Sequence, residues 1–339
     1  MSRAVVFDRY GDPARVLRLD RQRKRPTPGA GEVLIRVLVR PVHPGDLAGI
    51  AEVGRPEPAM QHIPGVEGMG IIEAVGDGGS GFEPGRRVAF FPARGAWSEY
   101  VVAPARFVVP VPDQVSDATA SLMLVNTITM LMLLRAVEDG WAGSPRSALQ
   151  TAAGSSVGRL VSAAAERHGY PLVNLVRSTE GAAALADRFP SIPVIATSDP
   201  DWPARVRAAL GGPASVALDA VGGSIGAELL GLLAEGGTLI SYGALAGEAL
   251  PIAPSALVPR ELRVRGVSIG RWTTTRTLDE QAEDMAFALE LARARPDLLE
   301  VAASYDLAEY QAAVAEAGRP GKVGSVLLAS PAGPDDRSQ

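Results

Sequence analysis

The feature that most constrains this fold is a turn of small residues between an apolar strand and a helix. It reads Gln150-Thr-Ala-Ala-Gly-Ser-Ser-Val-Gly158, and helical spacing of apolar residues continues from there to His168. A second apolar strand is predicted at 172–176, and Arg177 stands at its carboxyl end. These pieces predict a βαβ unit, and therefore a parallel sheet with helices packed on it.

The same unit predicts a dinucleotide site. Small residues let the backbone approach a pyrophosphate, and the free N–H groups of a helix start favour its negative charge. An acidic residue normally follows the second strand and bonds the ribose hydroxyls, but Arg177 stands there. Because an arginine suits a 2′-phosphate, the residues indicate NADPH. The stretch is not a full G-x-G-x-x-G, so an ordinary strand-to-helix turn is the alternative.

Composition excludes several classes of protein. The 339 residues carry a net charge of −5, which argues against non-specific nucleic-acid binding. The chain has no cysteine, which excludes disulfides and thiolate metal sites and is compatible with a cytoplasmic protein. The amino terminus reads as a strand rather than a signal peptide, and the apolar stretch 122–134 is too short to span a membrane. We therefore expect a small-molecule substrate and no nucleic-acid or membrane partner.

The pattern of predicted secondary structure changes near residue 116. Residues 1–115 alternate short apolar strands with Gly and Pro clusters, which predicts a compact barrel-like domain. Residues 116–269 alternate apolar helices and strands, which predicts an α/β fold with a doubly wound parallel sheet. The predicted strands are 33–39, 68–75, 87–91 and 98–102 in the first region, and 172–176, 193–196, 214–219, 237–242 and 262–269 in the second.

The last part of the chain is expected to return to the first domain. Residues 270–329 contain predicted helices at 278–295 and 307–317 and a predicted strand at 324–329. The tail, 330–339, is rich in Pro, Gly and Asp, and we expect it to be disordered.

Eight short motifs follow one another along the chain: His43-Pro-Gly-Asp46, Pro64-Gly-Val-Glu-Gly-Met-Gly70, Phe82-Glu-Pro-Gly-Arg-Arg-Val88, Gly95-Ala-Trp-Ser-Glu-Tyr100, Leu124-Val-Asn-Thr127, Asp219-Ala-Val-Gly-Gly223, Gly236-Gly-Thr-Leu-Ile-Ser-Tyr-Gly243 and Val264-Arg-Gly-Val-Ser-Ile-Gly-Arg-Trp272. In type and order they resemble the motifs of the medium-chain dehydrogenase/reductase superfamily. Within it, the chain is similar to the zinc-free quinone oxidoreductases and 2-enoyl thioester reductases. The resemblance implies a GroES-like, β-barrel-type catalytic domain, an inserted Rossmann NADPH-binding domain and a homodimer.

The resemblance also implies a set of cofactor-binding residues. Asn126 would reach the nicotinamide ribose, although it could instead cap a helix. Tyr242 could instead be an ordinary aromatic at a strand end. The full set is Asn126; Gly154, Ser155, Ser156 and Val157 at the pyrophosphate; Arg177, Ser178 and Thr179 at the adenosine phosphate; Tyr242, Gly243, Ala244 and Leu245 along the cofactor; and Val267, Ser268 and Ile269 at the nicotinamide carboxamide.

No metal site is expected. Zinc members of the superfamily carry a histidine where this chain has Val66. The histidines at 43, 62 and 168 do not form a ligand spacing, and cysteine is absent.

The proton donor is the point where the chain departs from the enoyl thioester reductases. Those enzymes place a catalytic tyrosine at a position that falls here at Val53 or Gly54, and no tyrosine occurs between residues 11 and 99. His43 stands where relatives commonly have asparagine, in a loop that the resemblance places against the nicotinamide. It could donate a proton or bond a substrate carbonyl, or make only a structural hydrogen bond.

Two other residues of these motifs have weaker assignments. Asp46 is expected to cap the turn that follows it. Trp272 resembles a tryptophan that lines the substrate pocket of the reductases, and packing between domains is its alternative role.

Three functions therefore stay open. The first is an NADPH-dependent reductase of a quinone or an activated, α,β-unsaturated double bond, with a cleft that excludes water. The second is a 2-enoyl thioester reductase in which water or His43 replaces the tyrosine. The third is a cofactor-binding protein with little catalysis.

Overall fold

The computed structural model describes residues 1–52, 61–78, 81–140 and 146–330. The chain forms two compact units. Residues 1–125 and the chain from Leu278 onward make the first, and residues 126–277 make the second. These boundaries fall later than the predicted 115 and 269, because the start of one long helix bonds to the first unit and the short helix that begins at Trp272 stays with the second.

The first unit is built on a mixed β-sheet and a separate antiparallel strand pair. Its strands are β1 (Ser2–Val6), β2 (Arg18–Arg23), β3 (Glu32–Pro41), β4 (Gly68–Val75), β5 (Arg87–Phe90), β6 (Tyr100–Pro104), β7 (Val108–Pro110), β14 (Val301–Asp306) and β15 (Ser325–Ala329), and its helices are α1 (Pro13–Val16), α2 (Pro44–Ala51), α3 (Asp117–Ala120), the start of α4 (Met123–Gly140), α11 (Leu278–Ala294) and α12 (Tyr310–Ala317). The mixed sheet has the strand order β14-β15-β3-β4-β5-β7, and β6 also pairs with β3. The separate antiparallel pair is formed by β1 and β2.

Alternation along β3 explains its place at the centre of that sheet. Val33, Ile35 and Val37 are completely buried in one cluster with Ile72 of β4. Side chains two residues apart point to the same face of a strand, so this spacing packs one face against the core.

The end of the chain completes the first unit. Strand β15 pairs antiparallel with β3, placing Leu328 opposite Arg40. The buried guanidinium of Arg40 donates to the carbonyl oxygens of Ala96 (3.2 Å), Ser98 (2.9 Å) and Leu328 (3.3 Å). It also bonds the Ser330 hydroxyl (2.6 Å), so the first residue of the predicted disordered tail is bonded. Residues 331–339 lie outside the described residues.

The second unit is the predicted doubly wound parallel sheet. Its strands are β8 (Ala148–Gln150), β9 (Leu172–Val176), β10 (Val194–Ala196), β11 (Ala214–Asp219), β12 (Leu233–Ser241) and β13 (Arg263–Gly266), and its helices are the remainder of α4, α5 (Ser156–His168), α6 (Thr179–Arg188), α7 (Trp202–Leu210), α8 (Gly223–Leu232), α9 (Pro254–Leu257) and α10 (Trp272–Thr275). The strand order is β10-β9-β8-β11-β12-β13, and all neighbours are parallel. Counted from the first strand of this unit the order is 3-2-1-4-5-6, the order of a dinucleotide-binding Rossmann fold.

The last strand of this sheet is shorter than predicted. Strand β13 ends at Gly266 rather than Ile269, and all four of its residues are exposed at the edge of the sheet. A 3-10 turn begins at Ile269 and leads into α10. The predicted strand at 98–102 also shifts, to Tyr100–Pro104, because the Ser98 hydroxyl bonds the carbonyl oxygens of Gly95 (2.6 Å) and Tyr100 (2.7 Å) in a turn.

Candidate functional site: a dinucleotide turn and a histidine–carboxylate pair

The turn after β8 is tight, and it is hydrogen-bonded to the neighbouring strand. Ala152 adopts a left-handed conformation with φ of 51°, where dinucleotide folds normally use glycine. The Ala153 N–H donates to the Leu175 carbonyl on β9 (3.1 Å), which holds the turn against the next strand. Ser155 caps α5, because its hydroxyl oxygen accepts from the Gly158 N–H at 3.1 Å.

Two glycines of this turn have opposite surroundings. A Cβ added to Gly158 would lie 2.6 Å from the carbonyl oxygens of both Ala152 and Ala153, so glycine is needed for the close contact of helix and strand. A Cβ added to Gly154 would meet nothing within 4 Å. The chain thus leaves open space beside the helix start, and this space fits a pyrophosphate.

A buried polar network fixes the elements around the turn. The Gln150 amide on β8 donates to the Gly158 carbonyl (2.9 Å) and to Oδ1 of Asn174 on β9 (2.7 Å). Ser162 of α5 bonds the Asn174 side chain (3.0 Å), and all three side chains are fully buried. A network of this kind ties two strands and a helix into one arrangement.

The predicted adenosine-phosphate residues lie at the start of α6. Ser178 caps that helix by accepting from the Gly181 N–H at 3.2 Å, and Thr179 is the first helical residue. Arg177 is exposed, and its guanidinium makes no hydrogen bond or ion pair within the part of the chain that the structure describes. An uncommitted cation beside a helix start fits a phosphate group.

The carboxyl ends of β11 and β12 supply the next turns of the same sheet edge. The buried carboxylate of Asp219 accepts from the Thr151 hydroxyl (2.8 Å) and from the N–H groups of Val221 (2.9 Å) and Gly222 (3.0 Å). It therefore joins the turn after β8 to the loop after β11. Sequence reasoning assigned no role to Asp219 or Thr151.

Tyr242 and its neighbours follow β12. The Tyr242 N–H donates to the Asp219 carbonyl (2.9 Å), and the Leu245 N–H to that of Ala220 (3.0 Å). The Tyr242 hydroxyl is buried without a hydrogen-bond partner in the described ranges, and burial, reinforced by Asp219, raises the pKa of this phenol. A Cβ on Gly243 would lie 2.8 Å from the Ala220 carbonyl oxygen, and Ala244 lies in the same loop.

Three predicted residues follow the edge strand. The N–H of Val267 donates to the Ser241 carbonyl (2.9 Å), so this N–H is already used within the sheet. Ser268 accepts from the Arg271 N–H at its carbonyl (3.0 Å), and Ile269 opens the 3-10 turn.

Asn126 and Trp272 are both buried in the second unit. Helix α4 begins at Met123, so Asn126 lies inside the helix and is not its cap. The alternative role of Asn126 as a helix cap is therefore wrong. Trp272 is completely buried at the first position of α10.

His43 and Glu67 form a hydrogen-bonded histidine–carboxylate pair in the first unit. His43 precedes α2, and its Nε2 lies 2.7 Å from Oε2 of the buried Glu67 carboxylate. Burial by itself lowers the pKa of His43, but the hydrogen bond and the charge of Glu67 outweigh it, and the net pKa is raised. The pair therefore favours the imidazolium form.

Asp46 has the capping role expected for it. Its carboxylate accepts from the backbone N–H of His43 at 3.1 Å at the start of α2. Burial raises the pKa of Asp46 to about 6, even though His43 acts in the opposite direction. Val53 and Gly54, where relatives place tyrosine, lie outside the described residues.

The structure groups the predicted residues by unit. Every predicted cofactor residue belongs to the second unit, and His43 belongs to the first. Strands β8, β9, β11 and β12 are neighbours, so the turns at 151–158, 177–179, 219–222 and 242–245 share the carboxyl edge of one sheet. In open parallel sheets ligands bind where the strand order reverses, which is here between β8 and β11.

The described residues show neither a metal-ligand cluster nor a membrane-spanning helix. Across residues 1–52, 61–78, 81–140 and 146–330, no group of three His, Cys, Asp or Glu residues is placed to hold a metal ion. Among the helices in those same ranges, none has the length and hydrophobicity needed to cross a bilayer.

Comparison with known proteins agrees with this architecture. Residues 29–113 match the family model of the alcohol dehydrogenase GroES-like domain, and residues 156–284 match that of the zinc-binding dehydrogenases. The mitochondrial enoyl-[acyl-carrier-protein] reductase of Rattus norvegicus is 28% identical over 325 residues, which are 94% of this chain and 86% of the relative.

Solved structures show the same likeness. A quinone oxidoreductase of Pseudomonas syringae pv. Tomato is 25% identical, with a TM-score of 0.85, over 97% of this chain and 100% of the other. A mycobacterial protein solved with NADPH is 27% identical, with a TM-score of 0.84, over 97% and 100%.

The chain belongs to the medium-chain dehydrogenase/reductase superfamily, in the zinc-free branch of quinone and enoyl reductases. It is an oxidoreductase of that type and uses a nicotinamide cofactor. The predicted family, fold class and enzyme class are thereby confirmed.

Proposed function

We propose that the protein is an NADPH-dependent reductase of a quinone or of a carbon–carbon double bond conjugated to a carbonyl group. The observation that carries this proposal is the turn of residues 152–158 with the uncommitted cation Arg177 at the same sheet edge. The names of the relatives, which are quinone oxidoreductases and enoyl reductases, support the same reaction class.

The residues present fit the cofactor. The open space at Gly154, the capped start of α5 and the N–H groups that follow Ser155 would hold the pyrophosphate. Arg177 would pair with the 2′-phosphate, and the loop at 242–245 would lie along the nicotinamide half. When bound, NADPH supplies a hydride.

The first unit supplies a proton. Reduction of a quinone or a conjugated double bond requires a proton in addition to a hydride, and a positioned acid typically contributes about 10²–10⁴ in rate. Nε2 of His43 is hydrogen-bonded to the Glu67 carboxylate, which stabilises the protonated ring as a proton source. The raised pKa of His43 keeps that proton available near neutral pH.

The cofactor assignment is tested by titrating NADPH and NADH against the parent protein and two variants. Arg177→Ala should weaken NADPH binding about ten- to a hundredfold, the value of one charged contact to phosphate, and leave NADH binding unchanged. Arg167→Ala is the matched control, because Arg167 is also exposed but lies in the last turn of α5, away from the helix start. Equal affinities for the two cofactors in the parent would refute the NADPH assignment.

Reduction of an enoyl thioester is the second candidate. It is favoured by the enoyl-[acyl-carrier-protein] reductase relative, which aligns with 94% of this chain. Steady-state rates with a simple quinone and with a crotonyl thioester, both with NADPH, separate the two substrate classes. If neither is reduced while NADPH binds tightly, the protein is a cofactor-binding protein and the proposed activity is wrong.

A further inference from the structure

We infer that Glu67 is the positioning residue of the active site: its two carboxylate oxygens tie the ring of His43 to the first turn of α4. This inference rests on the proposed reductase function for its catalytic consequence. In the sequence Glu67 is marked only by its place in the motif Gly65-Val-Glu67, with no role attached.

The two oxygens of the Glu67 carboxylate bond different partners. Oε2 lies 2.7 Å from Nε2 of His43. Oε1 accepts from the backbone N–H groups of Leu124 at 2.8 Å and Val125 at 2.7 Å. These are the second and third residues of α4, whose N–H groups have no partner within the helix. The Glu67 side chain therefore accepts hydrogen bonds from the first turn of α4 and also bonds the ring of His43.

Burial makes this arrangement costly to lose. Glu67 is 1% exposed, and its two oxygens make three short, charge-assisted hydrogen bonds. The helix start stabilises the negative charge of the carboxylate. That charge in turn stabilises the imidazolium of His43 and fixes which ring nitrogen faces away from it.

The other charged group near His43 is the Asp46 carboxylate, which accepts from the His43 backbone N–H. The start of α4 contributes backbone N–H groups and no titratable side chain at residues 123–125. Glu67 is thus the carboxylate that bonds the imidazole at Nε2, and Asp46 adds its charge from α2.

The test variant is Glu67→Gln. Glutamine keeps an oxygen that can accept from α4 but removes the charge next to His43. Glu73→Gln is the matched control, because Glu73 lies on β4, six positions further along the chain, and pairs with Arg25 and Arg36 instead.

The first readout is an NMR titration of the histidine ring. The chain has three histidines, so the His43 signal is assigned by its loss in His43→Asn. In the parent, His43 should titrate above about 6.5, the unperturbed value. In Glu67→Gln its midpoint should fall by about one pH unit or more, and in Glu73→Gln it should not move. A parent midpoint at or below 6.5, or equal midpoints in the parent and Glu67→Gln, would overturn the inference.

The second readout is the pH dependence of kcat. If His43 is the acid, rate falls as pH rises through its pKa, and Glu67→Gln should move that falling limb to lower pH. At pH 7.5 we expect kcat to drop about tenfold, the equivalent of one pH unit, with NADPH affinity unchanged. In His43→Asn, adding Glu67→Gln should cause no further loss of kcat.

The two readouts separate the failure of this inference from that of the proposed function. A protein that reduces neither substrate class defeats the proposed function, while the NMR titration still tests the Glu67–His43 pair. A kcat loss in Glu67→Gln that persists in full on the His43→Asn background would show that Glu67 acts through the fold and not through His43. The NMR titration of the parent also decides the pair if Glu67→Gln fails to fold.

Discussion

Replacing Gly158 by alanine should destabilise the second unit far more than the same change at Gly154. At Gly158 the new Cβ would lie 2.6 Å from two carbonyl oxygens, whereas ordinary contact begins near 3.4 Å. The backbone of the turn and helix α5 must therefore separate by about 0.8 Å. Both obstructing groups are main-chain atoms, which cannot rotate away as a side chain could.

The expected magnitude follows from two opposing effects. Overpacking of a tight site costs about 1–3 kcal/mol, and the helix propensity of alanine returns about 1 kcal/mol. Because main-chain atoms are displaced, the overpacking cost should lie near the top of its range, about 3 kcal/mol. After the gain from helix propensity, we expect Gly158→Ala to lower the free energy of unfolding by about 2 kcal/mol. Gly154 has no atom within 4 Å of the added Cβ and no positive φ, so its change should stay within about 0.5 kcal/mol.

Thermal unfolding of the two variants, followed by tryptophan fluorescence, measures this difference. Trp202 is a buried reporter in the same unit. For a unit of this size 1 kcal/mol shifts Tm by about 2–4 °C, so Gly158→Ala should lower Tm by about 4–8 °C. Equal Tm values for the two variants would show that α5 can move away from the turn without a cost in free energy, and would refute the close-packing argument.

Three further predictions concern charge, metal and assembly. The raised pKa of Asp46 means that this carboxyl costs folding free energy once it is ionised in the unfolded chain; the cost builds up between its unfolded pKa near 4 and its folded pKa of about 6, and it is constant above that. Asp46→Asn should therefore raise the free energy of unfolding by roughly 1–2 kcal/mol at pH 7.5 and leave it unchanged near pH 3.5. A gain of equal size at both pH values would contradict this. Dialysis against a chelator should leave both Tm and turnover unchanged, with no stoichiometric zinc by elemental analysis; loss of activity that zinc restores would overturn the zinc-free prediction. Light scattering at micromolar concentration should give the mass of a homodimer, because the exposed edge strand β13 is open to pairing; a monomer mass would contradict it.

Local patterns were sufficient to predict most of the fold. Strands β4, β9 and β11 begin and end at the predicted residues, since their apolar runs are flanked by turn residues. The predicted end of β13 and the predicted start of β6 are wrong, because hydrogen bonds in the adjoining turns determine where these strands begin and end. Such bonds leave no pattern of alternating apolar residues in the sequence.

The site was predicted less completely than the fold. The turn at 150–158 and Arg177 are contiguous with their elements, so a sequence pattern reveals them. The bond between His43 and Glu67 joins residues 24 positions apart, and the further bonds to α4 span 57 and 58 positions. The signal that could have found Glu67 is a single carboxylate between apolar, glycine-rich segments that lead into a buried strand.

The pairing of β15 with β3 has a consequence for synthesis on the ribosome. The second unit is one uninterrupted stretch, 126–277, and can fold as soon as it has emerged. The first unit cannot close its sheet until β15 is made, and until then Arg40 lacks its contacts to Leu328 and Ser330. Residues 1–125 therefore stay incompletely folded during the time in which the second unit can already fold. Premature termination before residue 325 should leave a mature second unit attached to an open, aggregation-prone sheet edge.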